Sequence, residues 1–329
     1  MQPAPAPLFR DPIFDGAADP TIIWNPAEQA WWLFYTNRRA NVEAPGFAWV
    51  HGTDIGIASS ADGGRTWIYR GIAEGLAFAR GRNTWWAPEI IEHAGRYHMY
   101  VSYVPGAPHD WFGTRHILHY TSENLWDWRF VSQLALSSDR VIDACVFRMP
   151  GGQWRMWYKD EAKQSHTYAA DSDDLHQWRV VGPVITDCAH EGPNVFAWQG
   201  AYWMVTDHWR GLGVYRSGDC VHWARQADLL VQPGTRTDDA AFGHHADVLV
   251  QGDDAYLFYF THPSETRIDE RTAEGLIPYA YRRTSLQVAR LHSADGVLTC
   301  DRDEEYDFAL TPPDKDIRGA GKSSPDERK

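Results

Sequence analysis

Residues 19–24 read DPTIIW and residues 143–148 read DACVFR. The same shape, a small or polar opening followed by β-branched or apolar residues, returns as APEIIE at 87–92, GPNVFA at 192–197 and HADVLV at 245–250. The five openings lie 68, 56, 49 and 53 residues apart, so one unit of about 50 residues repeats five times. Fixed-period self-similarity of this kind marks a repeat architecture.

Each opening is followed by a second strand-like run: WWLFYTN (31–37), YHMYVSY (97–103), WRMWYKD (154–160), YWMVTDH (202–208) and YLFYFTH (256–262). Aromatic and aliphatic residues alternate in them as strands require. A third run ends in Ser each time: IGIASS, ILHYTS, HTYAADS, LGVYRS and LQVARLHS. In four units a turn then leads to a Trp (67, 128, 178, 223) that opens a fourth run; the fifth unit has SADGVLTC and no Trp. No apolar stripe of helical period is sustained anywhere, and an all-β sandwich would not repeat so regularly. The prediction is an all-β, five-bladed β-propeller with four antiparallel strands per blade. It forms one domain over residues 1–311, with an unstructured tail at 312–329. Leu8 to Phe14 are a candidate strand for closing blade five.

SADGGRTW (60–67) fits a turn in which Ser and Asp side chains bond the backbone and the Trp packs between strands, so it is read as structural. The chain carries 17 Trp, most of them assigned to the core and a few to stacking on sugar faces. Net charge is −13, with no basic stretch interleaved with aromatics. Nucleic acid is therefore excluded as a partner, and a neutral substrate fits better. No run approaches the apolar length of a membrane span, and residues 1–10 have no apolar signal core, so the expected location is the cytoplasm unless a leader has been removed. The four cysteines (145, 188, 220, 300) have no zinc-like spacing and are expected to be buried free thiols.

In a propeller the first strand of each blade lines the central channel, and the five strand starts converge at one rim. They bring Asp19, Trp86 with Ala87, Asp143, Glu191 with Gly192, and His244 with His245 together. Three carboxyls at matching places in separate repeats are costly near a hub unless they are paired or used.

These segments resemble glycoside hydrolase family 43 and its relatives in families 32, 62 and 117, over about residues 10 to 300. ADPTI resembles the family's first-blade Asp-Pro, VIDACVF its third-blade Ile-Asp, HEGPNVF its fourth-blade Glu-Gly-Pro, NTWWAPEI its second-blade motif and GHHADVL its fifth-blade His segment. The resemblance implies an inverting, exo-acting glycosidase. Asp19 would be the general base, Glu191 the general acid, and Asp143 the residue that orients the acid and tunes its pKa. Burial and a negative Asp143 would then keep Glu191 protonated. It also implies a calcium or similar ion at the hub near His245, with His244 as the alternative. The implied substrate is an arabinofuranose-, xylose- or galactose-type plant or algal oligosaccharide.

There are departures. Ala144 stands where the family usually has Pro. Ala18 and Gly192 differ from the Asn and Cys of the retaining family 32, and Glu191 stands where family 117 uses His. A retaining or family-117-like glycosidase is one alternative reading, and a non-catalytic carbohydrate-binding propeller is another. Candidate sugar contacts are Trp85, Trp86, Trp209, Arg210 and Trp111. The specificity loops are expected at 38–54, 105–115 and 262–283. The charged run ETRIDERTAEG within the last of these is a candidate contact for a homo-oligomer.

Overall fold

A computed structural model describes residues 2–264 and 269–313. The twenty strands form five four-stranded antiparallel sheets, each in simple sequence order. Blade one holds β1 (Ala17–Asn25), β2 (Ala30–Asn37), β3 (Asp54–Ser60) and β4 (Ile68–Ile72). Blade two holds β5 (Thr84–His93), β6 (Arg96–Val104), β7 (His116–Ser122) and β8 (Arg129–Gln133). Blade three holds β9 (Val141–Arg148), β10 (Trp154–Asp160), β11 (His166–Ser172) and β12 (Arg179–Ile185). Blade four holds β13 (Glu191–Trp198), β14 (Ala201–Asp207), β15 (Leu212–Ser217) and β16 (Ala224–Arg225). Blade five holds β17 (His244–Gln251), β18 (Asp254–Thr261), β19 (Ser285–Ala294) and β20 (Val297–Cys300). This is the predicted propeller, with strand limits within two or three residues of the sequence reading in most cases.

The five inner strands, β1, β5, β9, β13 and β17, form a closed ring of neighbours around the axis. Among the described residues five apolar clusters lie one at each interface between adjacent blades, and a small sixth joins Trp86, Ala87, Val104 and Ile142. Strands β2, β10 and β14 are buried along their whole length because both faces meet a blade. Trp32, Trp157 and Trp203 are fully buried in these strands. Of the 17 Trp, only Trp111 and Trp209 are exposed, so tryptophan serves mainly as core here. The outer strands β4, β8 and β12 are largely exposed and carry charged residues, which blunts an edge open to further pairing.

The SADGGRTW turn is built as expected. Ser60 Oγ donates to Asp62 and accepts from the Gly64 N–H, Asp62 accepts from the Arg65 and Thr66 N–H groups, and Trp67 Nε1 donates to the Gly64 carbonyl. Ser122 with Asn124, Ser172 with Asp174 and Ser217 with Asp219 repeat the Ser–Asx pair in the next three blades.

Blade five differs from expectation. It completes four strands without help, and the N-terminal segment adds isolated bridges, antiparallel between Phe9 and Leu286, with Leu8 N–H donating to the Leu286 carbonyl at 2.8 Å, and parallel between Gly16 and Thr284. β20 pairs with the far half of β19, Leu291–Ala294, and leaves this half of its edge free for Phe9. The tail reading falls largely on residues 314–329, outside the described residues, and the charged blade-five run falls partly on residues 265–268, also outside them. Among the described residues no helix is long and apolar enough to cross a membrane. All four cysteines are free. Cys145 and Cys220 are buried as expected and Cys300 is half-buried. Cys188 is exposed, because it lies on the loop before β13 rather than in a strand.

Candidate active site at the hub

The inner strands do not start as regular strands. Asp19, Ala87, Asp143 and Gly192 all have φ between 46° and 59°, the left-handed region. The β1, β5, β13 and β17 pairings each slip at this point, as in a β-bulge. A bulge re-aims side chains and is common beside functional sites. Left-handed backbone is tolerated best by Gly and then by Asn or Asp, so aspartate at two of these positions suits both conformation and chemistry.

The bulges are tied to the preceding blade. The Ala87 N–H donates to Thr36 Oγ1 at 2.8 Å, the Asp143 N–H to Ser102 Oγ at 2.9 Å, and the His245 N–H to Asp207 Oδ2 at 3.0 Å. At the corresponding place on β10 stands Lys159, whose Nζ is 2.8 Å from Glu191 Oε2. Thus the end of one blade's second strand sets the start of the next blade's first.

Asp19, Asp143 and Glu191 are brought to the same rim of the channel, together with His245. Asp19 Oδ1 lies 3.3 Å from Arg38 Nη2 and 3.6 Å from His245 Nδ1. Arg38 is itself laid over the Phe260 ring at 4.4 Å. Asp143 Oδ2 accepts the Gly192 N–H at 3.1 Å, which joins the third-blade carboxyl directly to the residue after Glu191. Burial pushes the Asp143 carboxyl up to about 7, with Glu191 and Asp19 adding to the rise and His245 and Lys159 opposing it. For His245, burial favours the neutral ring, yet Asp143, Asp19, Glu191 and Asp207 together hold its pKa above the usual value. Glu191 is ion-paired to Lys159 at 2.8 Å.

Lys159 and Arg38 were missed in the sequence. Lys159 has a signal: it replaces the Thr36, Ser102 and Asp207 of other blades at the end of a second strand. It is buried and also meets Glu161 at 3.5 Å, and Glu161 in turn pairs with Arg115 at 2.9 Å and Arg140 at 3.3 Å. Arg115 is fully buried and donates to the Trp111 carbonyl at 2.7 Å.

The aromatic candidates separate. Trp86 Nε1 donates to the Val50 carbonyl, and its ring stands 4.9 Å from His51 and 6.1 Å from Trp111. Trp111 is exposed and also packs on Phe47 of the blade-one loop, whose N–H donates to the His109 carbonyl. The first two long loops therefore form one wall. Trp209 is exposed with its N–H on Asp207, and Lys159 Nζ lies 5.3 Å from its ring centre. Arg210 is exposed beside it. Trp85 is a correction. Its side chain points away from Trp86, as neighbours on a strand do, and packs between blades one and two against Tyr103 and Tyr120. It is core and is not free to stack on a sugar.

His244 is engaged by Asp207 at 3.1 Å, which leaves His245 as the imidazole among the carboxyls. Two residues farther along the inner strands lie further oxygen atoms. Asn194 Oδ1 is buried without a hydrogen-bond partner, and its amide nitrogen donates to Asp247 Oδ1 at 2.8 Å. Asp247 Oδ2 accepts the Ile22 N–H at 3.0 Å. Amide and carboxylate oxygens suit a hard cation such as calcium.

No family model matches the sequence, and no curated protein matches it significantly. Solved structures do. A thermostable family-43 glycoside hydrolase superposes with a TM-score of 0.65 at 16% identity, over 92% of this chain and 98% of that one. The fold is that of glycoside hydrolase family 43. A family-43 subfamily-1 enzyme from Xanthomonas citri, complexed with xylotriose, gives 0.65 at 15% identity over 91% and 94% of the two chains. A family-43 β-1,3-galactosidase with galactodeoxynojirimycin gives 0.62 at 16% identity over 87% and 93%. The family-43 fold is thus shared nearly end to end, at a sequence identity of 15–16%.

Proposed function

We propose that this protein is an inverting, exo-acting glycoside hydrolase that removes a terminal sugar of the arabinofuranose, xylose or galactose type from an oligosaccharide. The observation that carries this reading is the meeting of Asp19, Asp143 and Glu191, from three different blades, at one rim of the channel. Asp19, held by Arg38, takes a proton from the attacking water. Glu191 delivers one to the leaving oxygen; Lys159 holds its Oε2, and Oε1 has no partner among the described residues. Asp143 orients the Glu191 segment through the Gly192 N–H and keeps negative charge at the rim low near neutral pH. Trp111, Trp86 and Trp209 supply ring faces around the charged groups, and Arg210 a donor for sugar hydroxyls. The wall formed by the blade-one and blade-two loops favours a closed pocket over an open cleft, hence exo action. A calcium ion held by the Asn194 and Asp247 oxygens would steady the hub without entering the chemistry.

The test is turnover on a panel of aryl glycosides and plant and algal oligosaccharides, with product anomers followed by NMR. Inversion with loss of activity in Asp19→Ala and Glu191→Ala supports the assignment. Retention would make one carboxylate a nucleophile. Binding without any turnover would make the hub a lectin site.

A further inference from the structure

Beside the hub lies a second cluster that the proposed hydrolysis does not use. Cys188 and His190 occupy the loop before β13, and His208 follows the end of β14. One ligand atom from each, the Cys188 sulfur and a ring nitrogen of each histidine, lie within 4.8 Å of one another. Cys188 Sγ is 3.9 Å from His208 Nε2. The two imidazoles are 5.7 Å apart between centres. A thiol and two imidazoles form a borderline-soft set, the choice of zinc and its congeners rather than of calcium.

The surroundings are shaped for this arrangement. His208 packs over Gly213, where an added Cβ would come within 2.2 Å of His208 Nε2. Gly213 has no left-handed φ that would require glycine. Its missing side chain is the space the imidazole occupies. His190 is fully buried, and its Nδ1 is 2.9 Å from the Cys188 carbonyl, which curls the loop back on itself. On the outer side of His208, Nδ1 lies 4.0 Å from Asp228 and 3.3 Å from Arg225. The guanidinium can only donate, so in the present contacts Nδ1 accepts and Nε2 carries the ring proton; offering Nε2 to a metal moves that proton to Nδ1, on the side of the Asp228 carboxylate.

We propose that Cys188, His190 and His208 form a binding site for a single zinc ion, with solvent as the fourth ligand. Binding converts the Cys188 thiol to thiolate and releases its proton to solvent. It also breaks the present contacts of the ligating nitrogens, His208 Nε2 with Thr206 Oγ1 (3.0 Å) and, where Nε2 is the nitrogen used, His190 with Thr167 Oγ1 (2.6 Å). The ion clamps the loop to the end of β14. The residue after His190 is Glu191, so the clamp also positions the proposed acid; this last role alone rests on the hydrolase reading.

The experiment uses the full-length protein stripped with a chelator under reducing conditions. Titration with cobalt(II) is expected to give one equivalent of binding with a thiolate-to-cobalt charge-transfer band. Zinc should abolish the band by competition. Cys188→Ser should lose the band, and Cys188→Ser and His208→Gln should each weaken zinc binding at least about tenfold, with near-ultraviolet circular dichroism unchanged. A bound metal without the thiolate band, or unaltered affinity in folded Cys188→Ser, overturns the site. None of these readouts depends on glycoside turnover, so failure of the hydrolase reading would leave them unaffected.

Discussion

Replacing Glu191 with Gln keeps the shape of the side chain and removes both its proton and its charge. General acid catalysis contributes about 10²–10⁴ in rate, or about 3–5 kcal/mol of barrier. The loss should depend on the leaving group. On a methyl or sugar aglycone it should be of that full size. On a 2,4-dinitrophenyl glycoside, whose leaving group departs without protonation, it should shrink to about tenfold or less. Asp19→Asn should show no such relief, because activation of water is needed for every aglycone. The substitution also leaves Lys159 with Glu161 as its remaining anionic partner, at 3.5 Å, and Glu161 is already shared by Arg115 and Arg140. Breaking a buried pair costs about 3–5 kcal/mol. Because the Glu191 side chain is 24% exposed and Glu161 remains, a loss nearer 2 kcal/mol is expected, measured by denaturant unfolding. The kinetic signature is a pair of rates on the two aglycones. Equal losses on both, or no loss on either, would remove Glu191 from the role of acid.

Three further outcomes follow from the geometry. Between the ordinary carboxylate range and about 7, native Asp143 holds a proton that the unfolded chain has released, so stability falls as pH rises through that window. His245, also raised, acts in the same direction, and in Asp143→Asn the pH slope of the unfolding free energy should flatten; an unchanged slope would show that Asp143 ionises normally. Arg302→Met leaves Asp239, fully buried and bonded also to Tyr259, without its guanidinium. The expected cost is about 4 kcal/mol and a Tm about 6 °C lower, and calorimetry showing a drop below 1 °C would refute the buried pair. Trp111→Ala should raise KM several-fold while unfolding changes by less than about 0.5 kcal/mol, since the ring is 45% exposed; an unchanged KM would place the sugar elsewhere.

The blades were legible because their information is periodic. Apolar alternation, a terminal Ser and a turn Trp recur in register, and each feature checks the others. Asp19 and Asp143 were found for the same reason, and Glu191 because it stands one residue ahead of a Gly in that register. What escaped was non-local. Lys159, Arg38 and Glu161 reach the rim from second strands and loops, where no repeat marks them except by exception. Trp85 and Trp86 are adjacent identical residues, so composition could not divide them; the strand's alternation did, once the hub face was fixed. The N-terminal bridge to Leu286 depends on which half of β19 its own partner leaves bare, a matter of register at the opposite end of the chain.

The stitching of each bulge to the preceding blade has a consequence for recombination with related propellers. Ala87 hangs from Thr36, Asp143 from Ser102, and His245 from Asp207, so each rim residue answers to two blades. A chimaera cut at the turns between blades would sever these pairs at every joint. The natural exchange cassette is offset: it runs from the second strand of one blade through the first strand of the next, and a junction placed inside the first hairpin should preserve the rim.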